Sequence, residues 1–321
     1  MKMNEFTLSV KGESRLSELD FIKGIMIFLM VLFHLGDFNS QHYRLSDYIY
    51  SFHMLVFLII SGFLFNPSKN LKSFWRSYRF LLFGYVIVSI IYCVALWLFG
   101  HLTESSNTVF LLNEIPKRLL LQPVGTLWYI YLLLLVMPIV WIINKICRSN
   151  YIALIISSYI VLYVVVWKFH LFDSKFILFF FIGQLLRYVE FKIINSWLTI
   201  AACVAGLVLL SSTQFPVQFK LSACFGNSIL YFVLLFCLYH KFFERVKIFT
   251  WLGKNTLPVV YFSFFLTPFM SYLYPFLAFD ESRYTYGVIA STIVIVISIG
   301  IAFCIDRLGI STVILGSKLI K

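Results

Sequence analysis

Apolar runs recur along the whole chain, and many are long enough to cross a hydrocarbon core of ~30 Å. Hydrophobic residues make up 61% of the sequence and charged residues only 12%. A soluble domain carries about twice that charged share. The chain is therefore expected to be an all-α polytopic membrane protein. The net charge of +12 would suggest nucleic acid in a soluble protein. Here the basic residues stand between apolar runs, which is the pattern of cytoplasmic loops, so nucleic acid is excluded as a partner.

Ten candidate spans can be drawn, at 19–37, 46–65, 80–99, 123–143, 151–168, 175–190, 195–213, 223–240, 250–274 and 285–305. Lys2, Lys11 and Arg15 precede the first. Lys69, Lys72, Arg76 and Arg79 follow the second, and Lys145 and Arg148 the fourth. Arg187 and Lys192 close the sixth. Lys241, Arg245 and Lys247 follow the eighth, and Arg307, Lys318 and Lys321 the tenth. All of these fall on one side if both termini are cytoplasmic. The opposite loops hold Glu104, Glu114, Asp173, Asp280 and Glu281, with a minority of cations that includes Lys175. The expected organisation is a cytoplasmic segment at 1–18, one transmembrane domain at 19–305 and a cytoplasmic tail at 306–321. The polar N-terminus shows no short apolar core with a small-residue cleavage site, so the first helix is expected to remain as an anchor. The six cysteines form no CxxC pair and no metal spacing, and buried thiols are expected.

The first run, Leu19 to His34, carries Asp20, Lys23 and His34 inside apolar sequence. Ionisable groups in such a helix are costly and mark a site by default. An eleven-residue separation returns Lys23 and His34 to within ~20° of one helix face, roughly 16 Å apart. Asp20 and Lys23 can simply form an i, i+3 pair at the interface, with Lys23 snorkelling. In the functional reading His34 is a general base, since its reference pKa of ~6.5 suits proton removal near neutrality. Lys23 then binds an anionic group.

Other constellations are weaker. His53 lies at the outer end of the second span, roughly level with His34, and Ser61-Gly62 further along allows close packing. Lys69, Lys72, Arg76 and Arg79 share one helical face, suited either to anionic headgroups or to a phosphorylated donor. Lys254 and Asn255 open the ninth span, where Asn255 or Thr256 is placed to cap the helix. No Gly-rich phosphate loop, HExxH or GxSxG occurs.

These residues together resemble the acyltransferase 3 family of integral-membrane O-acyltransferases, nearest to its fucose-4-O-acetylase-like members. Lys23, ten residues and His34 are similar to the family's Arg/Lys-x10-His motif. Phe52-His53-Met54 through Ser61-Gly62-Phe63 resembles its second-helix segment, and Arg76-x-x-Arg79 its basic pair. Leu127-Trp128-Tyr129, Phe181-Ile182-Gly183 and Leu252-Gly253-Lys254-Asn255-Thr256 resemble weaker downstream signatures. Leu55-Val56 stands where the family often has Pro-Leu, and Tyr261 to Phe265 contains no third histidine.

The resemblance implies cytoplasmic acyl-CoA, most often acetyl-CoA, as donor substrate, with no resident cofactor and no metal. It implies a sugar hydroxyl on a lipid-linked or surface glycan as acceptor (O-antigen, capsule or exopolysaccharide) and a bacterial cytoplasmic membrane as location. Carried over by position, His34 is the base or acyl relay, with Lys23 and Asp20 beside it in the motif. Arg76, Arg79 and Lys72 are candidates for the donor site. His53, Ser61, Trp128, Lys254 and Asn255 are candidates for acceptor binding or support. The rival class is a transporter or export component whose path the polar stripe lines.

Overall fold

Each apolar run forms a helix, and polar or glycine-bearing breaks set where it stops. The structure, a computed structural model, describes residues 4–8, 16–102, 114–147, 150–188, 191–213, 220–277 and 279–320. Lys2, Lys11, Arg15, Glu104, Arg148 and Lys321 lie outside the described residues, as do 103–113 of the longest outer loop.

Helix α1 spans Ser17–Phe33. Short helices α2 (Gly36–Gln41) and α3 (Tyr43–Tyr50) lead to α4 (His53–Leu64) and to the long α5 (Leu71–Leu102). Then come α6 (Ile115–Leu120), a 3-10 turn at Gly125–Leu127, α7 (Trp128–Cys147), α8 (Tyr151–Phe169), α9 (Lys175–Tyr188) and α10 (Trp197–Thr213). The chain continues through α11 (Leu221–Leu238), a π turn at Tyr239–Phe243, α12 (Lys247–Lys254) and α13 (Thr256–Leu266). A 3-10 stretch at Thr267–Leu277, then α14 (Tyr284–Arg307) and α15 (Ile310–Ile314), complete the order.

Among the described residues, seven helical stretches are long and apolar enough to cross a membrane. They match the expected spans two to five and eight to ten. The other three expected spans are α1, α9 and α10, which have 17, 14 and 17 residues. At 1.5 Å per residue, α9 is only about 21 Å long, short of a full crossing.

Three further differences have local causes. The basic run after the second span is not a separate interfacial helix. No proline or glycine occurs from Leu71 to Phe83, so Lys72, Arg76 and Arg79 form the first turns of α5 itself. The ninth span breaks at Asn255 into α12 and α13. Among the described residues one strand pair appears: β1 (Asn4–Leu8) pairs antiparallel with β2 (Phe191–Asn195), Asn4 opposite Asn195 and Leu8 opposite Phe191. The N-terminus and the α9–α10 connection therefore share one side of the bundle. Residues 306–320 fold back on the bundle. The Asp306 carboxylate accepts the backbone N–H groups of Leu319 and Ile320 at 2.8 and 2.9 Å.

The core centres on α1 and α4. Every residue from Phe52 to Ile60 is buried, as expected of a helix that is apolar all round. Two helix pairs approach until backbones touch. A Cβ at Gly24 of α1 would overlap the Phe249 carbonyl of α12, and one at Gly253 of α12 would overlap the Asp20 carbonyl of α1. A Cβ at Gly62 of α4 would meet the Phe180 carbonyl of α9, and one at Gly183 of α9 the Ile59 carbonyl of α4. The obstacles are backbone, which cannot move aside as a side chain does. Gly253→Val and Gly62→Val are expected to cost about 3 kcal/mol or more, read as a lower thermal midpoint or loss of folded protein in detergent. Gly300, with open space around it, is the control. Gly300→Ala should be neutral or up to about 1 kcal/mol stabilising.

Candidate functional site

Helix α1 ends at His34, where the chain turns to the extended Leu35. The His34 Nδ1–H donates back to the Met30 carbonyl at 2.6 Å. A carbonyl only accepts, so in the neutral ring the lone pair lies on Nε2. His53 is held in the same way. Its Nδ1–H donates to the Ile49 carbonyl at 2.8 Å, across the break between α3 and α4. The His53 Nε2 is buried without a hydrogen-bond partner. Tyr50 stands between the two rings, 5.9 Å from His34 and 5.3 Å from His53 by centroids. Its hydroxyl donates to the Phe33 carbonyl at 2.7 Å, tying α3 to the end of α1.

Both histidines line one cavity of about 470 Å³. Trp128 also lines it. The turn before Trp128 is fixed by Gly125 at a φ of +53° and by Thr126, whose hydroxyl donates to the Val260 carbonyl at 2.8 Å. The Trp128 ring lies 4.6 Å from the Phe176 ring. The lining further includes Asp173 and Lys175, paired at 3.2 Å.

The remaining candidates lie elsewhere. Ser61 is more than two turns along α4 from His53, outside the cavity lining, and its hydroxyl shares a 2.5 Å hydrogen bond with that of Tyr129. Asp20 and Lys23 pair at 2.7 Å on α1, with the Lys23 side chain 16% exposed. They sit where α12 crosses α1, because Gly253 lies against the Asp20 carbonyl. Lys254 is the last residue of α12 and Asn255 the junction to α13. Asn255 holds the N-cap position of α13, but its side chain turns back, donating to the Trp251 carbonyl at 2.9 Å. Lys72 and Arg76 are exposed on α5, whereas Arg79 is partly covered by the returning C-terminal segment at Gly316.

The structure thus brings His34, His53 and Trp128 together and separates them from Lys23. Since α1 is continuous, Lys23 and His34 stand three turns apart, roughly 16 Å. Sequence reasoning counted Asp173 and Lys175 only as outer-loop charges, and it passed over Tyr50, Phe172 and Phe176. The available signal was Phe172-Asp173-Ser174-Lys175-Phe176, a loop that mixes opposite charges with aromatic rings.

The arrangement offers two imidazole nitrogens to a cavity with an aromatic wall, and a buried ion pair at the far end of the same helix. Two curated relatives share part of this sequence, both named nodulation protein NolL. The one from Mesorhizobium japonicum is 30% identical over 122 residues, 35% of this chain and 31% of that protein. The one from Sinorhizobium fredii is 32% identical over 125 residues, 36% of this chain and 33% of that protein. The chain spans about a third of the length of these relatives. No solved structure matches. The family model of the acyltransferase domain matches residues 16–307, nearly the whole chain and all but the last helix described above. The chain therefore belongs to the acyltransferase 3 family.

Proposed function

We propose that this protein is an O-acetyltransferase that moves an acetyl group from cytoplasmic acetyl-CoA to a sugar hydroxyl of a lipid-linked or cell-surface glycan. The observation that carries the reading is the His34 Nε2, freed for base chemistry by the Nδ1–H bond to Met30 and facing a cavity shared with His53 and Trp128. In the proposed step the acceptor hydroxyl attacks the thioester carbonyl. Its proton passes to His34 Nε2, the new C–O bond forms and the C–S bond breaks. The thiolate of coenzyme A leaves and takes up a proton.

The proposed topology has ten helices crossing or entering the bilayer, with both termini cytoplasmic, in the cytoplasmic membrane of a bacterium. The paired strands β1 and β2 support it by placing the N-terminus and the α9–α10 connection on one side. Asp20, Lys23, Lys254 and Asn255 then lie near the donor side, and His34 near the acceptor side. An extended thioester arm is what the roughly 16 Å between Lys23 and His34 requires. Lys72, Arg76 and Arg79 are proposed to meet the phosphates of the donor, whose oxygens match the guanidinium fork.

His34→Ala should lower transfer of radiolabelled acetyl from acetyl-CoA to glycan by about 10²–10⁴-fold, with insertion and yield unchanged. Wild-type transfer in that variant would remove His34 from the mechanism. A transporter would move labelled glycan across vesicles without leaving an acetyl group on it. Arg76→Ala with Arg79→Ala should raise the KM for acetyl-CoA about tenfold or more and leave the acceptor KM unchanged. An unchanged donor KM would assign the basic face to anionic lipid instead.

A further inference from the structure

The His34 cavity contains an ion pair that base chemistry does not use. Asp173 lies two residues before α9 and Lys175 is its first residue, and both line the cavity beside His34 and Trp128. Both carboxylate oxygens of Asp173 are fixed. Oδ1 accepts the Lys175 backbone N–H at 2.9 Å, and Oδ2 meets the Lys175 ammonium at 3.2 Å. The first bond alone is an ordinary helix-start turn. It does not explain why the lysine side chain is only 18% exposed, with its ammonium 5.5 Å from the Phe176 ring. A lysine at a helix end normally extends its charge outward to water. This one lies along the aromatic wall.

We infer that Asp173 and Lys175, with Trp128 and Phe176, form the acceptor subsite, and that this subsite selects an uncharged pyranose over an acidic one. The inference rests on reading the cavity as the acceptor site. A cavity of about 470 Å³ falls in the range of small-ligand sites. The tilted Trp128 and Phe176 rings present an apolar surface to the C–H face of a sugar ring. The fixed carboxylate has lone pairs left to accept from one hydroxyl, and the ammonium has three donors, enough to serve a second. Vicinal hydroxyls suit such a donor-and-acceptor pair. Among the described residues of the lining, Asp173 and Lys175 are the charged groups besides the two histidines, and their charges are opposite. A sugar carboxylate entering here would meet Asp173 and find the lysine charge already compensated.

The test is ligand binding to the full-length protein in nanodiscs, measured by saturation-transfer NMR with methyl galactoside and methyl galacturonide. The wild type should bind the neutral glycoside about tenfold more tightly. Lys175→Met should weaken neutral binding about tenfold without changing acetyl-CoA binding, and Lys175→Arg should restore it. Asp173→Asn removes the carboxylate charge beside Lys175 and should narrow or reverse the preference toward the galacturonide. Equal affinities in the wild type, no binding of either glycoside, or a ratio unmoved by both substitutions would overturn the inference. The transferase reading fails separately: glycosides that bind as stated, with no acetyl transfer by the wild type, would reject that reading and leave the subsite.

Discussion

Helices in a bilayer gain little from leaving lipid for protein, so close packing has to hold them together. In this protein that packing reaches backbone contact at two reciprocal crossings, Gly24 and Gly253 between α1 and α12, and Gly62 and Gly183 between α4 and α9. The second crossing sets the level of the cavity. His53 opens α4 nine residues before Gly62, and Lys175 opens α9 eight residues before Gly183. At 1.5 Å per residue both helix starts lie about 12–14 Å from the crossing. Two helices pinned at their glycines therefore deliver His53 and Lys175 to the same depth. The first crossing does the equivalent work at the other end of α1, holding α12 against Asp20 while Lys23 pairs with it. The functional groups stand on helix ends, and their heights follow from where glycine lets the helices meet.

The two ion pairs illustrate the same economy in charge. Asp20 with Lys23 and Asp173 with Lys175 each combine a poorly exposed lysine with a carboxylate of the same segment. Neither pair is a strong source of stability: desolvation offsets the attraction in the first, and water screens the half-exposed Asp173 carboxylate in the second. Their value is that a lysine held by a neighbour on its own turn keeps one position without needing a partner across the bundle. The histidines are held likewise, each through Nδ1 to the carbonyl four residues earlier. Such local anchoring leaves the Nε2 face free, which is the condition for any proton-transfer role.

Much of this architecture was legible in the sequence because membrane helices are written in long apolar runs and loop charges. Seven of the ten runs became helical stretches long enough to cross a membrane, and the Lys23-to-His34 spacing survived because α1 has no internal break. What was not legible depends on contacts distant in sequence. The short α9 packs against α4, where Gln184 donates to the carbonyls of Gly62 and Phe65. The fusion of the basic run with α5 depended on the absence of a helix breaker after Arg79, a negative signal. The β1–β2 ribbon pairs residues more than half the chain apart in sequence. Asp173 and Lys175 resembled ordinary loop charges until the fold turned them toward His34.

A reaction that joins two substrates across a membrane needs a path for the donor and a closed chamber for the transfer. Placing the base beside Lys23 would expose it to the donor side. Three helical turns of buried apolar residues, Met26, Ile27, Met30 and Val31 among them, instead separate the two ends of α1. On the proposed reading, the cost is that the thioester must reach across that distance. The benefit is that His34 faces a cavity walled by aromatic rings, where water competes less well for the acyl group. On this view the motif lysine and the motif histidine are not a catalytic pair. They stand three turns apart on one continuous helix, Lys23 near its start and His34 at its end.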